Sequence, residues 1–178
     1  MALPMTPIFT QTASGSANTV TFNNIPQHFT DLKLVLSVRS TSAGSLTGGF
    51  ADGSYISFNG STANSSWTFL YGFASTANPS RGASPTILYL GPINGANSTA
   101  STFSSGEVYI PNYTSSNFKS GTCDVVAENN NASNYFLNML SHLCRTASPV
   151  TSLSVVAGEG NWVKDSTFSL YGIIRSGA

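Results

Sequence analysis

The chain has little charge: only 8% of its 178 residues are Asp, Glu, Lys or Arg, against about 25% in an average globular protein. Seven basic residues balance seven acidic ones, so neither sign is in excess. A nucleic-acid-binding surface needs clustered Lys and Arg that displace counterions from phosphates. The composition therefore argues against nucleic acid as a partner, and it leaves few groups for acid–base chemistry.

Long apolar segments are also missing. No run approaches the roughly 20 apolar residues of a membrane-spanning helix. The first residues, MALPMTPIFTQTAS, have neither a basic region nor the sustained apolar core of a secretory signal. We therefore expect no membrane association and synthesis in the cytosol.

Cysteine is scarce. Cys123 and Cys144 flank an Asn-rich segment near residues 131–134, where a hairpin turn would bring the two thiols roughly opposite each other. Two small buried thiols are favoured over a disulfide, because free cysteine packs as a small hydrophobic residue and intracellular thiols stay reduced. The sequence alone leaves both states open.

Motifs that bind metals or phosphates are absent as well. The chain has no CxxC, HxH or HExxH spacing for zinc, no acidic calcium loop, and no Gly-rich loop followed by Lys and Ser or Thr. We expect no metal and no cofactor.

Catalytic groups are few. His28 and His142 are far apart in the sequence, and although Asp31 lies close enough to orient His28, no nucleophile elbow of the form G-x-S-x-G is present. A pair of carboxylates could hydrolyse a glycosidic bond, and the candidates for such a pair are Asp52, Glu107, Asp124, Glu128, Glu159 and Asp165. Glu107 and Asp124 are expected in or beside strands and the other four in loops. We expect no catalytic residue and no enzyme, since catalysis would require Glu107 or Asp124 to gather a second carboxylate in a cleft.

The sequence is rich in hydrophobic residues (40%) and aromatic residues (11%), enough to fold a domain, and much of this content alternates with polar residues. Leu32, Leu34, Leu36 and Val38 fall on one face of a predicted strand. Strands are predicted at 19–22, 31–40, 55–58, 67–71, 86–90, 106–110, 119–127, 135–144, 151–156 and 166–174. The segment 135–144 also has helical spacing, and strand is favoured over helix there; segments 40–53 and 74–84 are predicted loops.

Eight to ten short strands without βαβ alternation predict an all-β fold, a two-sheet antiparallel β-sandwich that is jelly-roll-like. The domain is expected to span residues 19–178 and to follow an extended N-terminal arm of residues 1–18. Tyr113, Trp162 and Phe73 are expected at the surface, capping the ends of the sandwich rather than stacking on sugars.

Several segments resemble a group of small virion proteins of tailed phages, especially phages of cyanobacteria and other aquatic hosts. The segments are FNNIPQHFTDLKLVLSVRS at 22–40, ISFNG at 56–60, SSWTFLYG at 65–72, GEVYIPNYTSSNFKS at 106–120 and FSLYGIIRSGA at 168–178. The likeness covers most of the chain, but it consists of strand edges and turns and carries no functional motif.

The resemblance implies a capsid decoration, or cement, protein: a homotrimer on the outer surface of the head that bridges neighbouring major capsid subunits. A tail-fibre or baseplate module that binds host surface glycan is the alternative. Uncharged faces favour close contact between subunits, because few ions need to lose their hydration. The resemblance decides neither the location, head or tail, nor the symmetry.

Overall fold

The structure is a computed structural model that describes residues 5–46, 48–61, 64–83 and 88–174. Twelve strands account for its regular structure: β1 (Met5–Thr12), β2 (Thr19–Phe22), β3 (Asp31–Val38), β4 (Ala51–Phe58), β5 (Ser65–Phe73), β6 (Thr76–Gly82), β7 (Leu88–Asn94), β8 (Ser104–Ile110), β9 (Lys119–Ala127), β10 (Phe136–Cys144), β11 (Leu153–Ala157) and β12 (Thr167–Ile173). The described residues contain no helix that is long and apolar enough to cross a membrane.

The strands form two antiparallel sheets that pack as a sandwich. The large sheet has the order β1-β12-β3-β8-β9-β10-β5-β6, and the small sheet has the order β2-β11-β4-β7. The predicted all-β, two-sheet antiparallel sandwich is confirmed.

Eight of the strands have jelly-roll connectivity. If β5, β6, β9 and β10 are set aside, the remaining strands, renumbered one to eight, form sheets of order 1-8-3-6 and 2-7-4-5, as the two nested Greek keys of a jelly roll require. The four strands set aside form two hairpins, β5–β6 and β9–β10. These hairpins extend the large sheet beyond β8, and we call them the extension.

The extension differs in part from the sequence prediction. β10 is a strand, as favoured, and the β9–β10 hairpin turns in the Asn-rich segment. The predicted loop at 74–84 is wrong, because Thr76–Gly82 forms β6. Pro79 and Gly82 suggested a loop, yet β6 lies at the sheet edge, where proline is tolerated since one row of backbone N–H groups needs no partner.

The N-terminal segment is extended, but it is not a free arm. β1 pairs with β12 along its length, and Phe9 stacks on Phe22 of the small sheet with ring centroids 5.9 Å apart. The Gln11 side chain also donates a hydrogen bond to the Thr21 carbonyl at 3.0 Å. The first strand thus belongs to the domain predicted for residues 19–178; residues 1–4 of the predicted arm lie outside the described residues.

The core lies between the two sheets and includes the predicted alternation of β3, with Leu32 and Leu34 fully buried. Trp162 and Tyr113 are also fully buried, so the prediction that they lie at the surface is wrong. Trp162 packs edge-on against Phe168 with centroids 5.0 Å apart. These rings contribute to packing, which was the role favoured for them, but they do so in the interior.

Candidate functional site

The extension presents one face to solvent, which we call the extension face. Outward positions of β9, β10, β5 and β6 form it: Thr122, Asp124, Val126, Leu137, Met139, Ser141, Thr68, Leu70, Gly72, Ala77, Pro79 and Arg81. They alternate with inward residues because successive side chains of a strand point to opposite faces. No described residue of the small sheet covers this face, since the small sheet packs on the opposite one.

An apolar ridge crosses the extension face. Leu70 lies directly opposite Met139 on the neighbouring strand, and Leu137 lies two residues away on β10. Their side chains are 53%, 68% and 50% exposed. Three large hydrophobic side chains side by side in water form a contiguous patch, which is typical of an interaction surface, whereas single exposed hydrophobic residues are common and need no explanation.

A hollow lies beside the ridge. Leu137 is paired across the strands with Gly72, and a side chain added at Gly72 would meet no atom closer than 3.9 Å. Ala77 follows Gly72 on the edge strand. The face therefore places a protruding leucine directly next to an unfilled position, and shallow grooves run along both sides of Leu70 and Met139.

Charge on this part of the molecule is sparse and separated. Asp124 lies opposite Met139 on β9, and Arg81 lies at the far edge, on β6. Both are exposed, and neither forms an ion pair within the described residues. Next to the extension, Lys33 and Glu107 form a salt bridge of 2.7 Å, with side chains 29% and 52% exposed.

The two strand carboxylates considered for catalysis are cross-strand neighbours. Glu107 pairs with Asp124 between β8 and β9, a position that places Cβ atoms about 5 Å apart. Retaining glycosidases hold their carboxyl groups about 5 to 5.5 Å apart, so the proximity itself is compatible with that chemistry. The surroundings favour a structural role over a catalytic one. Both carboxylates lie on the outer face of a sheet, and Glu107 forms a salt bridge with Lys33.

The other acidic candidates do not gather. Asp52 was predicted in a loop, which is wrong: it is fully buried in β4, where its carboxylate accepts hydrogen bonds from the Ser40 hydroxyl at 2.7 Å and the Glu159 backbone N–H at 3.3 Å. Glu128, Glu159 and Asp165 lie in connections, as predicted. Within the described ranges, no three His, Cys, Asp or Glu side chains come close enough to hold a metal ion.

The two histidines occupy opposite environments. His28 is exposed and contacts the Phe29 ring at 4.1 Å between centroids, whereas His142 is 3% exposed on the inner face of β10. Among the residues that the structure describes, neither ring nitrogen of His142 has a hydrogen-bond partner, and burial lowers the pKa of His142 to about 4. Asp31, proposed as the orienting group for His28, is buried and accepts hydrogen bonds from the Tyr109 hydroxyl and the Asn112 N–H.

The cysteines are buried free thiols, the state that the sequence favoured. Cys123 pairs with Leu140 and Cys144 with Lys119, so the hairpin does not place them opposite each other. Burial raises the pKa of Cys123, and its thiol lies 3.2 Å from the Leu90 carbonyl, to which it donates. The residue is thus protonated and packed in the core.

A row of aromatic rings lines the inner face of β5 near the edge of the sandwich. Trp67, Phe69 and Tyr71 follow one another with centroids 5.4 Å and 4.9 Å apart, and Tyr89 contacts Trp67 and Phe69 at about the same separation, 5.5 Å and 5.6 Å. The first three are half-buried, and a small crevice opens beside Phe69, Tyr71 and Tyr89. Burial raises the pKa of Tyr89, so its hydroxyl stays protonated and available as a hydrogen-bond donor.

In comparisons with known proteins, no family model, no curated protein and no solved structure matches the chain.

Sequence reasoning missed the extension face, although a signal was present. β5 and β10 carry apolar residues on both faces, as in Phe69-Leu70-Tyr71 and Phe136-Leu137. Apolar residues on both faces indicate a strand that is covered twice. One side of each strand is covered by the core, and the other side has no cover in the described structure.

Proposed function

We propose that this chain is a structural protein of a tailed-phage virion, most specifically a decoration protein on the outer surface of the head that bridges major capsid subunits. The observation that carries the proposal is the extension face, where Leu70, Leu137 and Met139 form an exposed apolar ridge. An apolar patch of this kind favours contact with another protein surface, since burying it releases about 25 cal/mol per Å² of apolar area.

Two further features support an assembly role. Jelly rolls recur in viral capsid domains, although a fold by itself does not fix a function. The sequence segments similar to small virion proteins include strands of both sheets, among them β3 and β12 of the large sheet and the end of β4 in the small sheet. The proposed partners are a second copy of the chain and the major capsid protein. No feature of the described residues favours the trimer implied by the resemblance, so self-association is proposed without a fixed symmetry.

Quantitative mass spectrometry of purified phage particles that encode this chain tests the proposal. A decoration protein is expected at hundreds of copies, in a fixed ratio to the major capsid protein. The ratio should persist after the tails are removed by density-gradient separation of heads. Absence of the chain from the particles would refute a virion role altogether.

The second candidate is a tail-associated module that binds host surface glycan. The half-buried aromatic row Trp67, Phe69 and Tyr71 favours it, because aromatic faces stack on sugar rings and jelly rolls also occur among lectins. Purified chain added to whole host cells would then show strong saturable binding that Tyr71→Ala weakens. Phe118→Ala, which removes an exposed ring in the β8–β9 connection, is the matched control. Such binding would contradict the decoration role.

A further inference from the structure

We infer that the extension face is the contact between two copies of this chain, packed face to face about a two-fold axis that runs along the boundary between β10 and β5. The biological setting of this contact rests on the proposed function. Its physical basis is the arrangement of apolar and charged residues on the extension face.

The position of the axis follows from the strand order. The extension is ordered β9-β10-β5-β6, so a two-fold axis parallel to the strands and midway along this order places β10 of one copy over β5 of the other, and β9 over β6. A tilt of the strands of about 15° from this axis in each copy gives the crossing of about 30° that is found in ordinary β-sandwiches. The contact is isologous, because each copy contributes the same surface.

The apolar residues are complementary under this symmetry. Leu137 and Gly72 are direct cross-strand partners on either side of the axis, so Leu137 of one copy comes to lie over Gly72 of the other. The space above Gly72 is free to 3.9 Å within one copy, and a leucine side chain from outside can occupy it. Met139 and Leu70, the next pair along the strands, meet their counterparts across the axis in the same way.

The two charges on the extension face, neither of which forms an ion pair within the described residues of one copy, are complementary as well. Within one copy Asp124 and Arg81 lie three strand spacings apart, about 14 Å, too far to pair. In the two-fold arrangement Asp124 of one copy lies over the β6 strand of the other, next to Pro79, and Arg81 lies two residues along. The long arginine side chain spans that offset. The contact therefore holds two equivalent Asp124–Arg81 pairs at its rim, and each pair brings together two exposed charges that form no ion pair within the described residues of one copy.

The area of the extension face sets the expected affinity of the dimer. Four strands spaced about 4.8 Å apart, each with about seven residues rising 3.4 Å, cover roughly 450 Å² in projection. Two copies then bury on the order of 1,000 Å², the lower bound for a specific interface. We expect a dimer with a dissociation constant in the micromolar range, which the high local concentration on an assembled particle would saturate.

Charge reversal and mixing of purified full-length chains test the inference by sedimentation equilibrium. Asp124→Arg alone and Arg81→Asp alone each place like charges together, and each should weaken dimerisation on the order of tenfold or more. The double variant should recover the wild-type dissociation constant. An equimolar mixture of the two single variants should form heterodimers, because the Asp124→Arg chain then presents an arginine at both positions and the Arg81→Asp chain presents an aspartate at both.

Substitutions of exposed apolar residues form the second part of this experiment. Leu137→Asn should dissociate the dimer, whereas Phe118→Asn removes an equally exposed hydrophobic side chain outside the extension face and should leave the dimer intact. Circular dichroism establishes that each variant is folded. A monomeric wild-type chain at about 100 µM, or single charge variants that dimerise like the wild type, would overturn the inference, as would a trimer that these variants leave unchanged. The chain could still occur on the phage head in any of these cases, so the particle stoichiometry decides the proposed function separately.

Discussion

At the scale of single residues, the burial of His142 makes the free energy of unfolding depend on pH. The pKa of His142 is lowered from the ordinary 6.5 to about 4 because the charged imidazolium would lose its hydration in the core. The side chain is 3% exposed and has no hydrogen-bond partner within the described part of the chain. The unfolded chain therefore binds more protons than the folded chain between these two values. The stabilising contribution is complete above pH 6.5 and is lost as the pH falls through that window toward 4.

We predict that His142→Leu removes part of the acid sensitivity of the fold. Between about pH 7 and pH 4.5, the free energy of unfolding of the wild type should fall by about 2 to 3 kcal/mol more than that of the variant. Urea denaturation at the two pH values measures this difference. His28→Leu, at an exposed histidine, should follow the wild type, and equal pH dependence of the wild type and His142→Leu would contradict the assignment.

Close packing of a ring on a glycine is a second feature at this scale. A Cβ atom at Gly172 in β12 would lie 2.3 Å from the ring of Phe29, a buried residue. We predict that Gly172→Ala destabilises the fold by about 1 to 3 kcal/mol because the ring must move or the strand must shift. Thermal and urea unfolding measure the loss.

Gly72→Ala is the matched control, since its nearest atom is 3.9 Å away. Measured at concentrations below dimer formation, it should change the free energy of unfolding by less than about 0.5 kcal/mol. Addition of Phe29→Ala to Gly172→Ala should be less than additive, because the clash disappears with the ring. Equal losses in Gly172→Ala and Gly72→Ala would show that the ring does not fill this space.

At the scale of elements, the pairing of β1 indicates that the N-terminal segment stabilises its own domain and is not available to a neighbouring subunit. Removal of residues 1–12 leaves β12 as an unpaired edge and takes away Ile8 and Phe9, which pack against the core. We predict a loss of at least about 2 kcal/mol and aggregation on warming, because an uncovered edge strand pairs with other chains.

Differential scanning calorimetry and light scattering of the shortened chain check this prediction, with removal of residues 1–4 alone as the control. If the chain without residues 1–12 melts at the same temperature as the full chain, β1 is dispensable for the fold. The segment would then be available to lie across a neighbouring subunit.

The elements also show which parts of the fold the sequence encodes locally. The alternation of Leu32 to Val38 predicted β3, because apolar residues at every second position indicate a strand with one buried face. β6 was missed because Pro79 and Gly82 disfavour a strand locally, while pairing with β5, a tertiary interaction, overrides that tendency at an edge. The burial of Trp162 was missed for a similar reason: its environment includes residues distant in sequence, such as the Ala17 carbonyl, to which its backbone N–H donates, and Ser40, with which it forms an isolated β-bridge.

At the scale of the whole molecule, the sandwich could be predicted from many short strands, but the strand order could not. The order places β5 beside β10, although the β5–β6 hairpin is far from β10 in the sequence, and only this order creates the extension face. The candidate site was therefore not accessible from sequence, apart from the apolar residues on both faces of β5 and β10. The low charge, first an argument against catalysis, now fits an extension face that carries only Asp124 and Arg81 around an apolar ridge.

The most direct test of the proposal that the chain is a structural protein of the virion is a cryo-electron microscopy map of the phage particle that encodes it. The account predicts the twelve-stranded sandwich at many symmetry-related positions on the outer surface of the head, with the extension face covered by protein. A map that shows the chain only at the tail, or particles that lack it, would contradict the account.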